Sequence, residues 1–457
     1  MKIVYFIFYT LLCNSCFAQS LNDRIQKEIN ALQQDPQFVH AIISFCVIDS
    51  KTGSNIFGKN EQVGLAPASC QKIVTSAAAL DILGKDFTYV TDISYSAKGT
   101  DGPVILYING NGDPTMGSNR FGGTKESRFM EILKQALKKA GIIKVNYIVL
   151  NDSSKFSSQN IPDGWIWQDV GNYFGAGAAA INWRENQYDL ILQPGKSVAQ
   201  PTTVTSVIPA YQPLKINNEC TTGPKKSGDK AYIYHGLNNS PAYIRGSIPL
   251  GEDDFSISGA VSDPESYFTA ALNNFLQQND LLGYPVSNVE LLKKTSLYKY
   301  VSPTLDSINF WFLKKSINLY GEAFVKTIAI EGNKKGSTDS GINIIRDHWS
   351  KRGIEKSALK IIDGSGLSPA NRLTTDALVK ILQYAKLQSW YPSFYNALPE
   401  MNGIKMKDGY IGGVRSYAGY ITSRSGISLC FAFIVNNFDG NPASAREKIW
   451  KVLDLLK

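Results

Sequence analysis

Pro67-Ala68-Ser69-Cys70-Gln71-Lys72, running into Ile73-Val74-Thr75-Ser76-Ala77-Ala78-Ala79-Leu80 and closed by Gly84, is the stretch on which the fold turns. A proline before the start, small apolar residues throughout and a glycine at the end describe a buried helix. Ser69 and Lys72 are three residues apart at its beginning, so a hydroxyl and an amine share one helical face. Serine is a weak nucleophile near neutral pH and needs a base. A lysine serves if burial and a second cation lower its pKa. The helix N-terminus adds N–H groups and the positive end of a dipole where an oxyanion can sit. Spacing alone is a weak signal, since Ser227/Lys230, Ser296/Lys299 and Ser357/Lys360 share it. The Pro-Ala context and the small-residue helix single out Ser69.

Working outward, Leu21, Ile25, Ile29 and Leu32 predict an N-terminal helix, and Ile42 to Asp49 a strand. Lys51-Thr52-Gly53 reads as a hairpin turn and Ser54 to Phe57 as the returning strand. From about Phe87 to Tyr298 short alternating strands and Pro/Gly/Thr-rich turns dominate. Helices return at 303–315, from near Ser316, at 338–352 and at 374–387. Strands are expected at 405–411, 415–423 and 427–436, then a last helix from about 442. The two chain ends together make one α/β (α+β) core, 19–86 with 299–457, interrupted by a mostly β insertion over 87–298.

The composition of the 457 residues, 43% hydrophobic and 19% charged, is that of a folded globular chain. The net charge of +8 is spread without a basic run, which speaks against a nucleic-acid groove. Met1-Lys2 followed by the apolar run Ile3 to Leu12 and Cys16-Phe17-Ala18 predicts a signal peptide over 1–18 and export to the periplasm. No later run is long and apolar enough to span a bilayer. Cys13 and Cys16 fall in the leader. Cys46, Cys70, Cys220 and Cys430 remain, expected as buried thiols, with a Cys46–Cys430 bridge as the alternative. His40, His235 and His348 share no motif, and outside the leader, where Cys13 and Cys16 have a metal-like spacing, no zinc spacing is present, so neither metal nor cofactor is expected.

Two further elements complete the chemistry. Ser316-Ile317-Asn318 supplies a second hydroxyl and an amide, and Lys407-Asp408-Gly409 a cation and a glycine in a strand. Decoys exist: Lys51-Thr52-Gly53 precedes the nucleophile, and Ser307-Ile308-Asn309 lies inside an amphipathic helix. Ser316, at a helix junction, is the better placed. The order matches the Ser-x-x-Lys, Ser-x-Asn, Lys-Thr-Gly trio of β-lactamases and penicillin-binding proteins.

The chain thus resembles the low-molecular-mass penicillin-binding proteins, D-Ala-D-Ala carboxypeptidases and endopeptidases with a large insertion in a β-lactamase/transpeptidase-like serine domain. Gly110-Asn111-Gly112-Asp113-Pro114-Thr115, Asp363-Gly364-Ser365-Gly366-Leu367-Ser368 and Val414-Arg415-Ser416-Tyr417-Ala418-Gly419-Tyr420 extend the resemblance over nearly the whole chain. It implies Ser69 as nucleophile, Lys72 as base, and Ser316, Asn318 and Lys407 as proton relay and orienting groups. It implies Asp408, Gly409 and Tyr410 along the substrate, with the N–H groups of Ser69 and Tyr410 as the oxyanion hole. Peptidoglycan stem peptides and β-lactam antibiotics are the implied partners. The chain departs from the pattern at Asp408, where the family has Thr or Ser, and in a short stretch between Pro399 and Lys407. A carboxylate at 408 predicts slow acylation, relieved on mild acidification if it takes up a proton. Carboxypeptidase and endopeptidase both stay open, as does a wall-binding protein that has lost turnover.

Overall fold

A computed structural model describes residues 20–97, 102–151, 155–210, 214–236, 241–285 and 293–457. The leader over 1–18, with Cys13 and Cys16, lies outside them. The central sheet has six strands in the order Glu400–Met401, Ile404–Ile411, Val414–Thr422, Ser428–Asn436, Ile42–Asp49, Asn55–Lys59, all antiparallel. Both chain ends therefore build it, Phe45 lying opposite Phe433 and Cys46 opposite Ala432. The period of two sorts each strand between two cores. Phe431, Phe433 and Val435 face the terminal helices Leu21–Gln34 and Pro442–Asp454, meeting Ile25, Ile29, Ile449 and Leu453. Cys430, Ala432 and Ile434 face the opposite layer, with Val74, Ala77, Leu378 and Leu382. Burial on both faces explains why Ser428–Asn436 reads as an unbroken apolar run.

The helix Lys72–Ile82 runs through that second layer, buried along most of its length. Helices Leu305–Lys314, Asn318–Glu331, Thr338–Ser350 and Thr375–Lys386 surround it. Small side chains at Ala77, Ala78 and Ala79 let these neighbours approach from every side.

Residues between this helix and Leu305 form a separate hydrophobic cluster. Its four-stranded sheet has the order Thr295–Val301, Val90–Ala97, Val104–Asn109, Tyr147–Asn151. Val90 pairs with Val301, so the segment enters and leaves side by side. Strands outnumber helices in this segment, as expected of a mostly β insertion. Two long helices, Glu126–Lys139 and Pro264–Gln278, bring Phe129, Leu133, Phe268 and Leu272 into this core. Both had local signals: apolar residues at helical spacing in the first, and in the second an Asp263 cap on the N–H of Ser266 with proline just after it. Cys46, Cys70, Cys220 and Cys430 are free and buried, which rules out the bridge. No helix among the described residues is long and apolar enough to cross a membrane.

Candidate active site

Ser69 sits on a short 3-10 turn, Ala68–Gln71, that leads into the Lys72–Ile82 helix. Ala68 is held at φ +45°, a conformation rarely adopted outside glycine and found where surrounding structure enforces it. Two glycines clamp the turn. A Cβ on Gly366, itself at φ +83°, would lie 2.0 Å from the carbonyl oxygen of Ala68. A Cβ on Gly409 would lie 2.8 Å from the Ser69 nitrogen and 2.7 Å from the Pro67 oxygen. The loop after Asp363 and the strand Ile404–Ile411 thus press against the turn from two sides. Ser416, from the neighbouring strand, donates to the Pro67 carbonyl.

Lys72 is fully buried beneath Ser69. Its Nζ donates to Ser69 Oγ at 3.0 Å, Asn318 Oδ1 at 2.6 Å and the Ser365 carbonyl at 2.7 Å. All three partners are neutral, so nothing in contact compensates the ammonium charge. Burial, then the nearby charge of Lys407, brings its pKa down to about 7. The amine therefore loses its proton near neutrality while in hydrogen-bond reach of the hydroxyl. Asn318 is oriented from its other end, its Nδ2 donating to the Phe174 carbonyl of the insertion at 2.7 Å.

Below the site lies the carboxylate of Asp363, first residue of the Asp363-Gly364-Ser365-Gly366 stretch. Buried Asp363 accepts from the N–H groups of Gly366 and Ser368, both at 2.7 Å, from Gln71 Nε2 and Trp165 Nε1, both at 2.9 Å, and from Asn371 Nδ2 at 3.0 Å. Five donors on one buried carboxylate satisfy it and fix the loop that carries Ser365 and Gly366. Glu322, also buried, accepts from the N–H of Gly364 through both oxygens. Burial and then the charge of Asp363 raise its pKa to about 8. Asp363 could be found in the sequence as a motif member; its distant donors, Gln71 and Trp165, could not.

Small-ligand pockets usually have about 300–1,000 Å³, and the one over Ser69 has about 600 Å³. Ser69, Ser316, Asn318 and Tyr410 line it, and the insertion adds Arg120, Asp169 and Tyr232. Ser316 stands at φ +57° between two helices and turns into this cavity, whereas Ser307 lines a different groove with Phe310 and Trp311. Arg120 is held by Glu185 at 2.8 Å, which also accepts from Ser118 and Tyr320. Burial raises the pKa of Asp169 to about 6. The other decoy, Lys51-Thr52-Gly53, is a tight turn whose first two N–H groups donate to Asp49.

Lys407 and Asp408 are paired with each other. The Lys407 Nζ donates to Asp408 Oδ1 at 2.9 Å and to the Asp408 carbonyl at 2.7 Å; the lysine side chain is 2% exposed and the aspartate 36%. Burial alone would raise the Asp408 pKa, but the charge and hydrogen bond of Lys407, with Arg415 behind them, hold it below its ordinary value. The idea that mild acid would protonate Asp408 is therefore wrong: two cations keep it ionised. Past Met406, among the described residues, this strand pairs only with Val414–Thr422, so its other edge is open beside the cavity. Tyr410, half exposed on that strand, is stacked by Arg415 at 4.5 Å.

Known proteins share this architecture along its length. The chain is 25% identical over 460 residues to the D-alanyl-D-alanine carboxypeptidase of Actinomadura sp. (strain R39), covering 92% of this chain and 82% of that one. It is 24% identical over 418 residues to the D-alanyl-D-alanine carboxypeptidase DacB of Haemophilus influenzae, covering 85% and 84%. The crystal structure of penicillin binding protein 4 (dacB) from Haemophilus influenzae superposes with a TM-score of 0.78 at 20% identity, over 95% of this chain and 99% of that one. A structure of the same protein complexed with a β-lactam gives 0.73. The fold is thus that of penicillin binding protein 4. Residues 25–455 match the model of the D-Ala-D-Ala carboxypeptidase 3 (S13) family, and the chain belongs to that family.

Proposed function

We propose that the protein is an exported serine D,D-peptidase that cleaves D-Ala-D-Ala termini of peptidoglycan stem peptides through an acyl-enzyme. The same chemistry extends to D-Ala–diamino-acid cross-links. The carrying observation is Lys72: buried, titrating near 7, and bonded at once to Ser69 and Asn318. In its neutral form it takes the Ser69 proton as Oγ attacks the carbonyl between the two D-residues. The oxyanion is placed against the N–H groups of Ser69 and Tyr410, which the close contact of Gly409 with the turn brings together. As the C–N bond breaks, the proton passes from Lys72 through Ser316 to the leaving amine. Water then cleaves the ester and restores Ser69. Asn318 and Lys407 orient the peptide, which lies along the open strand edge.

The family supports this reading, as do the relatives named carboxypeptidases. A segment resembling a signal peptide supports periplasmic placement. Release of D-alanine from a D-Ala-D-Ala peptide by the mature protein tests the activity directly. Fluorescent penicillin should label the protein, and Ser69→Ala should abolish both labelling and turnover, a loss on the order of 10⁶-fold for a serine nucleophile. Labelling that survives this substitution would overturn the assignment. The Lys407–Asp408 pair favours a second reading, a penicillin-binding wall protein with little turnover. Labelling without D-alanine release would select it.

A further inference from the structure

One small sheet of the insertion has an unusual outer face. Its strands are Tyr232–Tyr234, Ala242–Arg245 and Ile216–Asn218. Residues opposite one another in an antiparallel pair point to the same side. Ile233 lies opposite Ile244, and both are buried; Tyr234 lies opposite Tyr243, and Tyr232 opposite Arg245. The outer face is therefore three tyrosines and an arginine. Arg245 spans the rings of Tyr234 and Tyr243 at 5.4 and 5.6 Å, and its Nε donates to Glu219 at 2.8 Å. Trp167 extends the row, its ring 5.0 Å from Tyr234 and its side chain 57% exposed. At the other end Tyr232 is part of the wall of the Ser69 cavity. The aromatic face thus begins at the cavity wall with Tyr232 and continues over the small sheet.

Outward positions of a small sheet need no aromatic residues to fold; Trp167 and Tyr232 are exposed and Tyr234 and Tyr243 partly so, and such a patch marks a binding surface. Tyrosine, tryptophan and arginine are the residues that binding surfaces favour. We propose that this face binds the glycan strand of peptidoglycan. The inference rests on the peptidase reading, because a stem peptide in the cavity is covalently joined to a sugar chain that must cross the adjoining surface. A pyranose ring presents a face of C–H groups that packs flat on an aromatic ring. Its hydroxyl and N-acetyl groups hydrogen-bond to polar side chains at the rim, here Arg245, Glu219 and exposed Asn217. The Arg245–Glu219 pair leaves the row without net charge, which suits neutral acetylated sugars rather than an anionic polymer. Joining sugar and peptide contacts raises the effective concentration of the scissile bond at Ser69.

The test uses the full mature chain carrying Ser69→Ala, titrated with N-acetylglucosamine tetramer as a neutral, peptide-free strand; amidase-treated peptidoglycan is avoided, because cleavage leaves a free lactyl carboxylate on each muramic acid. Saturable binding is expected, weakened at least about tenfold by Tyr234→Ala/Tyr243→Ala and by Trp167→Ala alone. With Ser69 intact, these variants should release D-alanine from a soluble pentapeptide at the unchanged rate and from intact sacculi at least about fivefold more slowly. Thermal melts identify any variant that misfolds, and the exposed Trp167→Ala then decides. Absence of saturable glycan binding to millimolar concentration overturns the proposal, as does unchanged sacculus turnover in folded variants. Concentration-dependent dimerisation lost in the same variants would assign the face to a second copy and overturn it too. Failure to cleave the pentapeptide sinks the peptidase reading instead, and binding of peptide-free strands still decides the face by itself.

Discussion

Lys72 and Lys407 are both withdrawn from water near the same serine, but they belong to two differently built regions. On the cavity floor, Lys72 meets only neutral oxygens, from Ser69, Asn318 and Ser365. On the edge strand, Lys407 meets the ionised carboxylate of Asp408. A buried ammonium with neutral partners keeps its hydrogen bonds but loses solvation, so its proton is cheap to remove. A buried ammonium with a carboxylate is charge-compensated. The floor therefore supplies the movable proton and the edge a hydrogen-bonded ion pair. Their coupling is one-directional in use, since the charge of Lys407 helps to push the Lys72 pKa down.

The strongest way to break the comparison is to remove what holds the floor in place. Asp363→Ala strands five donors, and a loss of about 3–5 kcal/mol in stability is expected, read as a lower thermal or urea midpoint. Asp363→Asn, which keeps acceptor capacity, should cost less. An Asp363→Ala protein as stable as the parent would show that the floor does not depend on this carboxylate.

Acidity separates the two regions next. Ser69 can pass its proton to Lys72 only when the amine is neutral, and that pKa is about 7. Acylation by penicillin should therefore fall about tenfold per pH unit below 7, roughly 100-fold by pH 5. Asp408 offers no compensating gain on the way down, because its pKa is held low. A rate that rises on acidification, measured by stopped-flow labelling, would reverse the assignment of the two groups.

The smallest expected effect sharpens the edge. Asp408→Thr removes a carboxylate from beside the path of an anionic peptide terminus and releases Lys407 from its partner. Acylation should quicken by at least about tenfold, or about 1.4 kcal/mol of barrier. An unchanged or slower rate would mean that the Lys407–Asp408 pair itself positions the strand.

Legibility in the sequence followed the range of the interactions. The strand Ile42–Asp49 and the helices near 305, 318, 338 and 375 were readable because periodicity, caps and glycine stops lie within a few residues. The helices Glu126–Lys139 and Pro264–Gln278 carried equally local signals, and were hidden by the turn-rich strands around them. Ser69 and Lys72 could be named from their own hexapeptide. The work of Asp363 could not, because Trp165 reaches it from 198 residues away and Gln71 from 292.

What the sequence determined by itself was the order of the chemistry: a hydroxyl and an amine on one turn of a helix, a second serine at a helix junction, and a strand with a lysine and a glycine. Backbone geometry over three or four residues is enough for that. What only the tertiary structure decided was the state of those groups. Lys72 titrates near neutrality because folding buries its ammonium and brings the charge of Lys407 near it, while Asn318, 246 residues away, meets it with a neutral amide oxygen. Asp408 stays ionised because Lys407 and Arg415 converge on it. Burial and charge act through space, so the pKa of each group is set by neighbours that the chain brings together only on folding.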